Sequence, residues 1–283
     1  MIIDMRLRPP YKSICNMGLY TAQEHIVPVM HKNGGRLAPS AHEKSMPLLL
    51  EEMDQAGITM GVVPIRTADG VSNDDLVQLI ADYPGRFVGM AGVDPTDGIL
   101  KAFDTIDTYV HNGPCKGIVM ELPFCKKGPL HCNDRYLWAI YEKCEAEQVP
   151  VMLQWGGMFA PDLKLYDPTE LDKVAVSFPR MTIIAAHAGW PFVTEIIQVA
   201  FCRNNVYLAP DTYMTPNTPG FQDYVRAAKN MLSERICFST AYPLATIADT
   251  KKSFLELGLS GDILENIFCN NAVRALHLED QIR

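Results

Sequence analysis

The sequence predicts an α/β fold: a single (β/α)8 TIM barrel with an extra C-terminal helix, covering residues 1–283 as one domain. Three observations predict it. Short apolar runs alternate with helix-period segments along the chain, eight strand–helix units can be counted, and the length suits one barrel of about 250 residues plus loops. Apolar runs without in–out alternation mark strands buried on both faces, which is how parallel strands read when crossover helices cover them. The count of eight favours a closed barrel over an open doubly wound sheet.

Strand one is Ile2 to Leu7, followed by a long loop with Pro9, Pro10, Gly34 and Gly35. That loop, residues 9–39, either caps a pocket or meets a neighbouring subunit. A helix opens near Ser40, a suitable N-cap, and ends at Gly57, a suitable C-cap. Strand two is Ile58 to Ile65, its helix Asn73 to Asp82, and strand three Arg86 to Val93 after the turn Pro84-Gly85. Helix three, Gly98 to Val110, leads to strand four, Lys116 to Glu121, and a Pro- and Gly-containing loop precedes a helix at Asp134 to Glu147. Strand five, Val149 to Gln154, is followed by two glycines and a helix at Pro168 to Ser177. Strand six is Met181 to His187, then a helix at Pro191 to Cys202, strand seven at Val206 to Ala209 and a helix at Phe221 to Leu232. Strand eight is Arg235 to Ser239, and two helices, Ile247 to Leu257 and Asp262 to Leu276, close the chain.

A formal charge of −8 argues against a nucleic-acid or anionic-membrane surface, because neutralising phosphates takes clustered Lys and Arg. A small anionic molecule is the expected partner. No leader-like or membrane-spanning apolar stretch of ~18 residues occurs, so a cytoplasmic location is expected. Eight cysteines are scattered without a CxxC pair and read as reduced thiols, with Cys125 and Cys132 the two worth testing for reactivity.

Chemistry in such a barrel sits where strands end and βα loops begin. The residues there are Arg6 and Arg8, Arg66, Asp94, Glu121, Gln154 and Trp155, His187, Asp211 and Tyr213, and Ala241 and Tyr242. Arg6 and Arg8 are two apart on a strand and so share a face. Buried guanidinium groups need anionic company. A substrate carboxylate or phosphate would supply it through bidentate bonds, or Glu121, Asp94 or Asp211 would neutralise the arginines permanently as a scaffold. His187 reads as a general acid or base, or as a hydrogen-bonded core residue. Asp211 and Tyr213 would orient His187 or contact substrate, or else serve as a turn carboxylate and a packed ring. Trp155, Trp190 and Tyr242 would wall an aromatic substrate or simply pack.

The segment Ala186-His187-Ala188-Gly189-Trp190-Pro191 resembles the sixth-strand motif of the amidohydrolase-related (amidohydrolase 2) family. Ser239-Thr240-Ala241-Tyr242-Pro243 resembles its eighth-strand motif, and Cys269-Asn270-Asn271-Ala272-Val273-Arg274 is similar to its closing Asn-Ala segment. With Ile3-Asp4-Met5-Arg6-Leu7-Arg8-Pro9 these matches run through the whole chain in the expected order. The resemblance implies hydrolase chemistry, with lactone opening, decarboxylation and hydration as related options, and an assembly that is often a dimer or larger. It also implies a divalent ion held by a His-x-His pair on strand one, a His ending strand five, a His after strand six and an Asp after strand eight. Here those positions read Arg6 and Arg8, Gln154, His187 and Ala241.

Guanidinium has no lone pair and stays charged, Gln154 offers one neutral carbonyl and Ala241 nothing, so the expectation is that no metal and no other cofactor is used. His25, His31, His42, His111, His131 and His277 form no metal spacing on one element, so no replacement site is expected. The resulting reading is a hydrolase or lyase, metal-independent, acting on a small carboxylated compound, either lactone-like or an aromatic or cyclic acid. His187 and Asp211 would be catalytic, and Arg6, Arg8, Glu121, Gln154, Trp190, Tyr213 and Tyr242 would bind substrate. The alternative is a non-catalytic anion-binding protein that keeps the barrel.

Overall fold

A computed structural model describes residues 1–32, 34–159 and 161–280. Seven parallel strands are hydrogen-bonded in chain order. They are β1 (Ile3–Asp4), β2 (Met60–Pro64), β3 (Phe87–Gly92), β4 (Gly117–Met120), β5 (Val151–Gln154), β6 (Ile183–Ala186) and β7 (Val206–Ala209). Neighbours pair in register, for example Ile118 with Val151, Val151 with Ile183 and Ile183 with Val206.

The eighth position is filled without a regular strand. Cys237 N donates to Leu208 O at 2.8 Å and Leu208 N to Arg235 O at 2.8 Å, while Met5 N donates to Phe238 O at 2.9 Å. Isolated bridges join Leu208 to Ile236 and Leu7 to Tyr242. The segment therefore touches both β7 and β1 and curls the sheet shut. It falls short of a ladder because Phe238 N donates away from the sheet, to Ile267 O at 2.8 Å.

Inward side chains of the strands, among them Met60, Val62, Met90, Val119, Met152 and Ile184, fill the lumen, and Ala272, Val273 and Leu276 of the last helix plug its floor. Ile3 and Met5 belong to this lumen cluster whereas Leu7 packs in the outer layer between strands and helices. The chain bends at Met5, which resets the alternation.

Helices Asn73–Asp82 and Pro168–Ser177 have the predicted bounds, each opened by a side-chain cap: Ser72 accepts from Asp74 N at 3.1 Å and Asp167 from Thr169 N at 2.9 Å. Elsewhere the structure differs from the expectation. The helix expected from Ser40 to Gly57 is two, Pro39–His42 and Met46–Ala56, divided at Lys44 with φ 51° and restarted by Pro47 behind the Ser45 cap. Gly57 is the left-handed cap, φ 69°. The stretch 9–39 is mostly helical, with Lys12–Asn16, Gly18–Thr21 and Gln23–Lys32, the last placing Met30 against Ala241 and Leu244. The final helix is interrupted by a π-helical turn, Asn266–Asn270. No described helix is long and apolar enough to cross a membrane.

Candidate active site

Four non-glycine residues at the C-terminal ends of the last three barrel positions hold left-handed backbone: His187 (φ 67°), Ala188 (45°), Asp211 (44°) and Ala241 (55°). Such conformations cost on the order of 1 kcal/mol or more each and persist where surrounding structure imposes them, commonly at functional sites. Here they turn the chain sharply after each strand, so that His187 and Asp211 meet.

His187 Nδ1 and Asp211 Oδ2 lie 2.8 Å apart, both side chains fully sequestered. The contact is off the line of an ideal hydrogen bond, yet neither atom has another partner among the described residues. Burial, and then the Arg6 charge, lower His187 to about 4 despite the opposing pull of Asp211. The imidazole is therefore neutral near pH 7, with Asp211 facing Nδ1. Tyr213 meets the imidazole edge-on, centroids 5.3 Å apart, and stacks on Trp190 at 5.0 Å. A backbone bond from Met158 N to the Tyr213 hydroxyl, 2.8 Å, pins the loop after β5 over this group. A Cβ at Gly157 would lie 3.1 Å from His187 Cδ2, and one at Gly156 would lie 2.7 Å from Trp190 O, so the loop sits close because both residues are glycine.

The arginines behave differently from one another. Arg8 is buried with its Nη2 on Glu121 Oε1 and its Nε on Pro64 O at 3.0 Å. Arg66, at the end of β2, puts Nε on the other oxygen of Glu121 and Nη1 3.5 Å from Asp69, with its guanidinium 4.3 Å from the Phe124 ring centroid. One carboxylate thus serves two cations. Arg6 is 3 % exposed, and among the described residues no carboxylate lies within salt-bridge reach of it. Gln154 joins the group: one end of its amide is 2.8 and 3.2 Å from the Glu121 oxygens. An oxygen there would face oxygens, so that end is the nitrogen, donating. The same end lies 3.4 Å from Arg6 Nη2 and 3.5 Å from Arg66 Nη2.

Tyr242, by contrast, turns away: its hydroxyl is 2.7 Å from Ser40 Oγ, which donates to Glu52 at 2.5 Å. Trp190 donates to Pro219 O at 3.1 Å and is partly exposed. Arg6, Gln154, His187, Asp211 and Tyr213 therefore gather at one place, Arg8 and Glu121 pair beside it, and Tyr242 lies outside it. Burial raises the Cys125 and Cys132 thiols, which removes the thiolate that reactivity needs.

Three participants went unassigned in the sequence. Arg66 is visible as a strand-end residue. Asp4 is completely buried, accepting from Arg6 N (3.0 Å), Thr240 N (3.0 Å) and Thr240 Oγ1 (2.6 Å), and burial raises its carboxyl to about 6. Its signal was a charged residue inside an apolar strand. Tyr166, in the turn Leu163–Tyr166, has no pattern around it that would have marked it.

A family model described as Amidohydrolase matches residues 25–278. An uncharacterized TIM-barrel protein from Bordetella bronchiseptica is 35% identical, with a TM-score of 0.91 and 98% of each chain covered. A dihydroxybenzoic acid decarboxylase from Polaromonas sp. JS666, solved with bound manganese and the inhibitor 2-nitroresorcinol, is 18% identical with a TM-score of 0.70, covering 99% of this chain and 98% of the other. A 5-carboxyvanillate decarboxylase from Novosphingobium aromaticivorans, complexed with manganese and 4-hydroxy-3-methoxy-5-nitrobenzoic acid, is 16% identical with a TM-score of 0.67, covering 98% and 96%. No curated protein matches the chain.

The manganese in the two decarboxylases overturns the expectation that no cofactor is used. The discounting of the remaining histidines is corrected as well. His111 stands with Asp107 and Glu147, one ligand-type atom from each within 4.8 Å of the others, because a π-helical turn and a helix bring them together on the outer surface. Lys143 occupies the same cluster, 2.7 Å from Asp107 and 2.8 Å from Glu147. At the strand ends themselves the residues do not fit a divalent ion. Asp211 is turned to the Nδ1 side of His187, Ala241 has no donor atom, and the Arg6 guanidinium is close enough to depress His187, so no chemical step is routed through a metal there. By the span of the family match and the similarity to the Bordetella protein, the chain belongs to the amidohydrolase family.

Proposed function

We propose that this chain is an enzyme, a hydrolase or lyase acting on a small carboxylated aromatic or cyclic compound. The observation that carries the reading is the buried His187–Asp211 pair beside Arg6, a sequestered cation without a carboxylate partner among the described residues, at the strand ends where barrel enzymes do their chemistry. Two proteins of the same fold are named for decarboxylating aromatic acids, which supports that substrate class.

In this reading Arg6 takes the substrate carboxylate, Asp211 holds the imidazole at Nδ1, and His187 Nε2 moves the proton. A carboxylate bound at Arg6 offsets the charge that depresses His187 and raises it from about 4 toward neutrality, so substrate itself tunes the base. For a hydrolase the proton comes from water. For a lyase it is delivered to the carbon that loses its substituent.

The test is a panel of aromatic and cyclic carboxylic acids and lactones, followed by chromatography of the products. At least one compound should be consumed, and His187→Asn should slow its turnover about 10²–10⁴-fold with binding retained. Turnover untouched in His187→Asn would remove His187 from the mechanism. Tight binding of a carboxylate with no product from any compound would leave the non-catalytic alternative.

A further inference from the structure

On the Gln154 side of Arg6 the polar groups are mostly donors. With the Gln154 nitrogen committed to Glu121, Arg6 Nη2 and Arg66 Nη2 face a third N–H group at 3.4 and 3.5 Å, and no acceptor among the described residues completes them. Beside them, on a side chain that is 0 % exposed, lies the hydroxyl of Tyr166, in reach of the other end of the Gln154 amide. The Tyr166 ring is held edge-on against Trp155, centroids 6.1 Å apart, and the Trp155 indole N–H has no acceptor among the described residues. A buried donor without an acceptor costs about 1–3 kcal/mol, so a cluster of them signals an acceptor that arrives later. Burial pushes the Tyr166 hydroxyl up to about 12 while the Gln154 amide, Arg66 and Arg6 pull it back, as expected of groups sharing one small volume. Arg66 is aimed by three contacts, Glu121, Asp69 and the Phe124 face, so its free edge is preorganised.

We propose that Arg6, Arg66 and the Tyr166 hydroxyl together form the cradle for the substrate carboxylate, with Arg8 held on Glu121 beneath it as a fixed counter-charge. This rests on the function proposed above and specifies which residues recognise the acid. A flat carboxylate matches it: two oxygens, each with two lone-pair directions, accept from two guanidinium edges and one hydroxyl. Tyr166 thereby sets specificity for an acid over its amide or ester, because a neutral group supplies fewer acceptors to the same donors.

The probes are benzoate, 2,6-dihydroxybenzoate and cyclohexanecarboxylate, each against its matched amide, bound to wild type, Tyr166→Phe and Arg66→Lys and read by calorimetry, with thermal unfolding as the folding check. Wild type should prefer acid over amide. Tyr166→Phe should weaken the acid about 5- to 20-fold, leave the amide within about twofold, and still unfold in one cooperative transition above the assay temperature. Arg66→Lys keeps the charge but loses the fork, and should weaken the acid in the same sense. If wild type prefers the acid and both variants bind it as tightly, the cradle is wrong while the proposed function stands. If wild type binds none of the acids, both fall.

Discussion

At the scale of single residues, His187 and Asp4 titrate in opposite senses over nearly the same pH range. His187 is lowered from 6.5 to about 4, so the folded chain binds fewer protons than the unfolded one between those values, and stability from this group falls as pH drops through them. Asp4 is raised from 3.8 to about 6, so the folded chain binds more, and stability from this group falls as pH rises through that window. The two slopes oppose each other. Wild-type stability should accordingly vary little between pH 4 and 6 on account of this pair. Urea titrations should show His187→Asn losing about 2–3 kcal/mol as pH rises across that interval, and Asp4→Asn gaining a similar amount. Parallel curves for all three proteins would contradict it. Arg6 is the largest cause of the His187 shift after burial, so Arg6→Gln should move the acid limb of kcat/KM, which reports the free enzyme, upward from about pH 4. An unmoved limb would show that the guanidinium does not reach the imidazole.

At the scale of elements, the predicted and observed bounds agree where a polar cap sits beside a periodic apolar face, as with Ser72 before Leu76 and Leu79, or Asp167-Pro168 before Leu171 and Val174. They part where tertiary contacts decide. The region after Pro9 reads as loop because its helices are short and carry Pro28, yet Tyr20 is anchored there by donating to Arg8 O at 2.5 Å. The eighth strand is correctly placed, but a donor turned toward Ile267 keeps it from being regular, and no local pattern records that. Of the site, the strand-end residues are legible because the fold brings strand ends together. What each arginine does is not, since the choice of Glu121 by Arg8 and Arg66 depends on positions more than 50 residues away along the chain. The loop after β5 yields a prediction of its own. Gly156→Ala places a methyl 2.7 Å from Trp190 O in a backbone with φ 108°, so the loop must lift from His187. Activity should fall at least about 10-fold with the barrel intact by circular dichroism, since a misplacement of about 1 Å at a catalytic group costs that much or more.

For the whole molecule, the barrel fold is shared with decarboxylases solved with manganese, while the cluster at this chain's strand ends is built around guanidinium groups. The barrel walls come from apolar patterning that many sequences satisfy, and a change of chemistry at the mouth leaves them standing. Closure, however, depends on few bonds. Between β7 and β1 the eighth segment contributes single bridges, and the Asp4 carboxylate spans the remaining gap by accepting from Thr240 and from Arg6 N. Asp4→Ala would leave those buried donors without an acceptor and should cost about 2–4 kcal/mol in chemical denaturation. A loss under about 1 kcal/mol would mean the seam is held elsewhere.

A hoop fastened by a clasp gives way at the clasp. In deuterium exchange the amides of Cys237 and Thr240 should therefore be the first of the wall to trade their protons, ahead of those in β4 and β5, whose ladders are continuous. Because that fastening is a carboxyl group that ionises near pH 6, its grip should slacken or tighten within the range of ordinary acidity, and with it the ease with which the rim above Arg6 breathes.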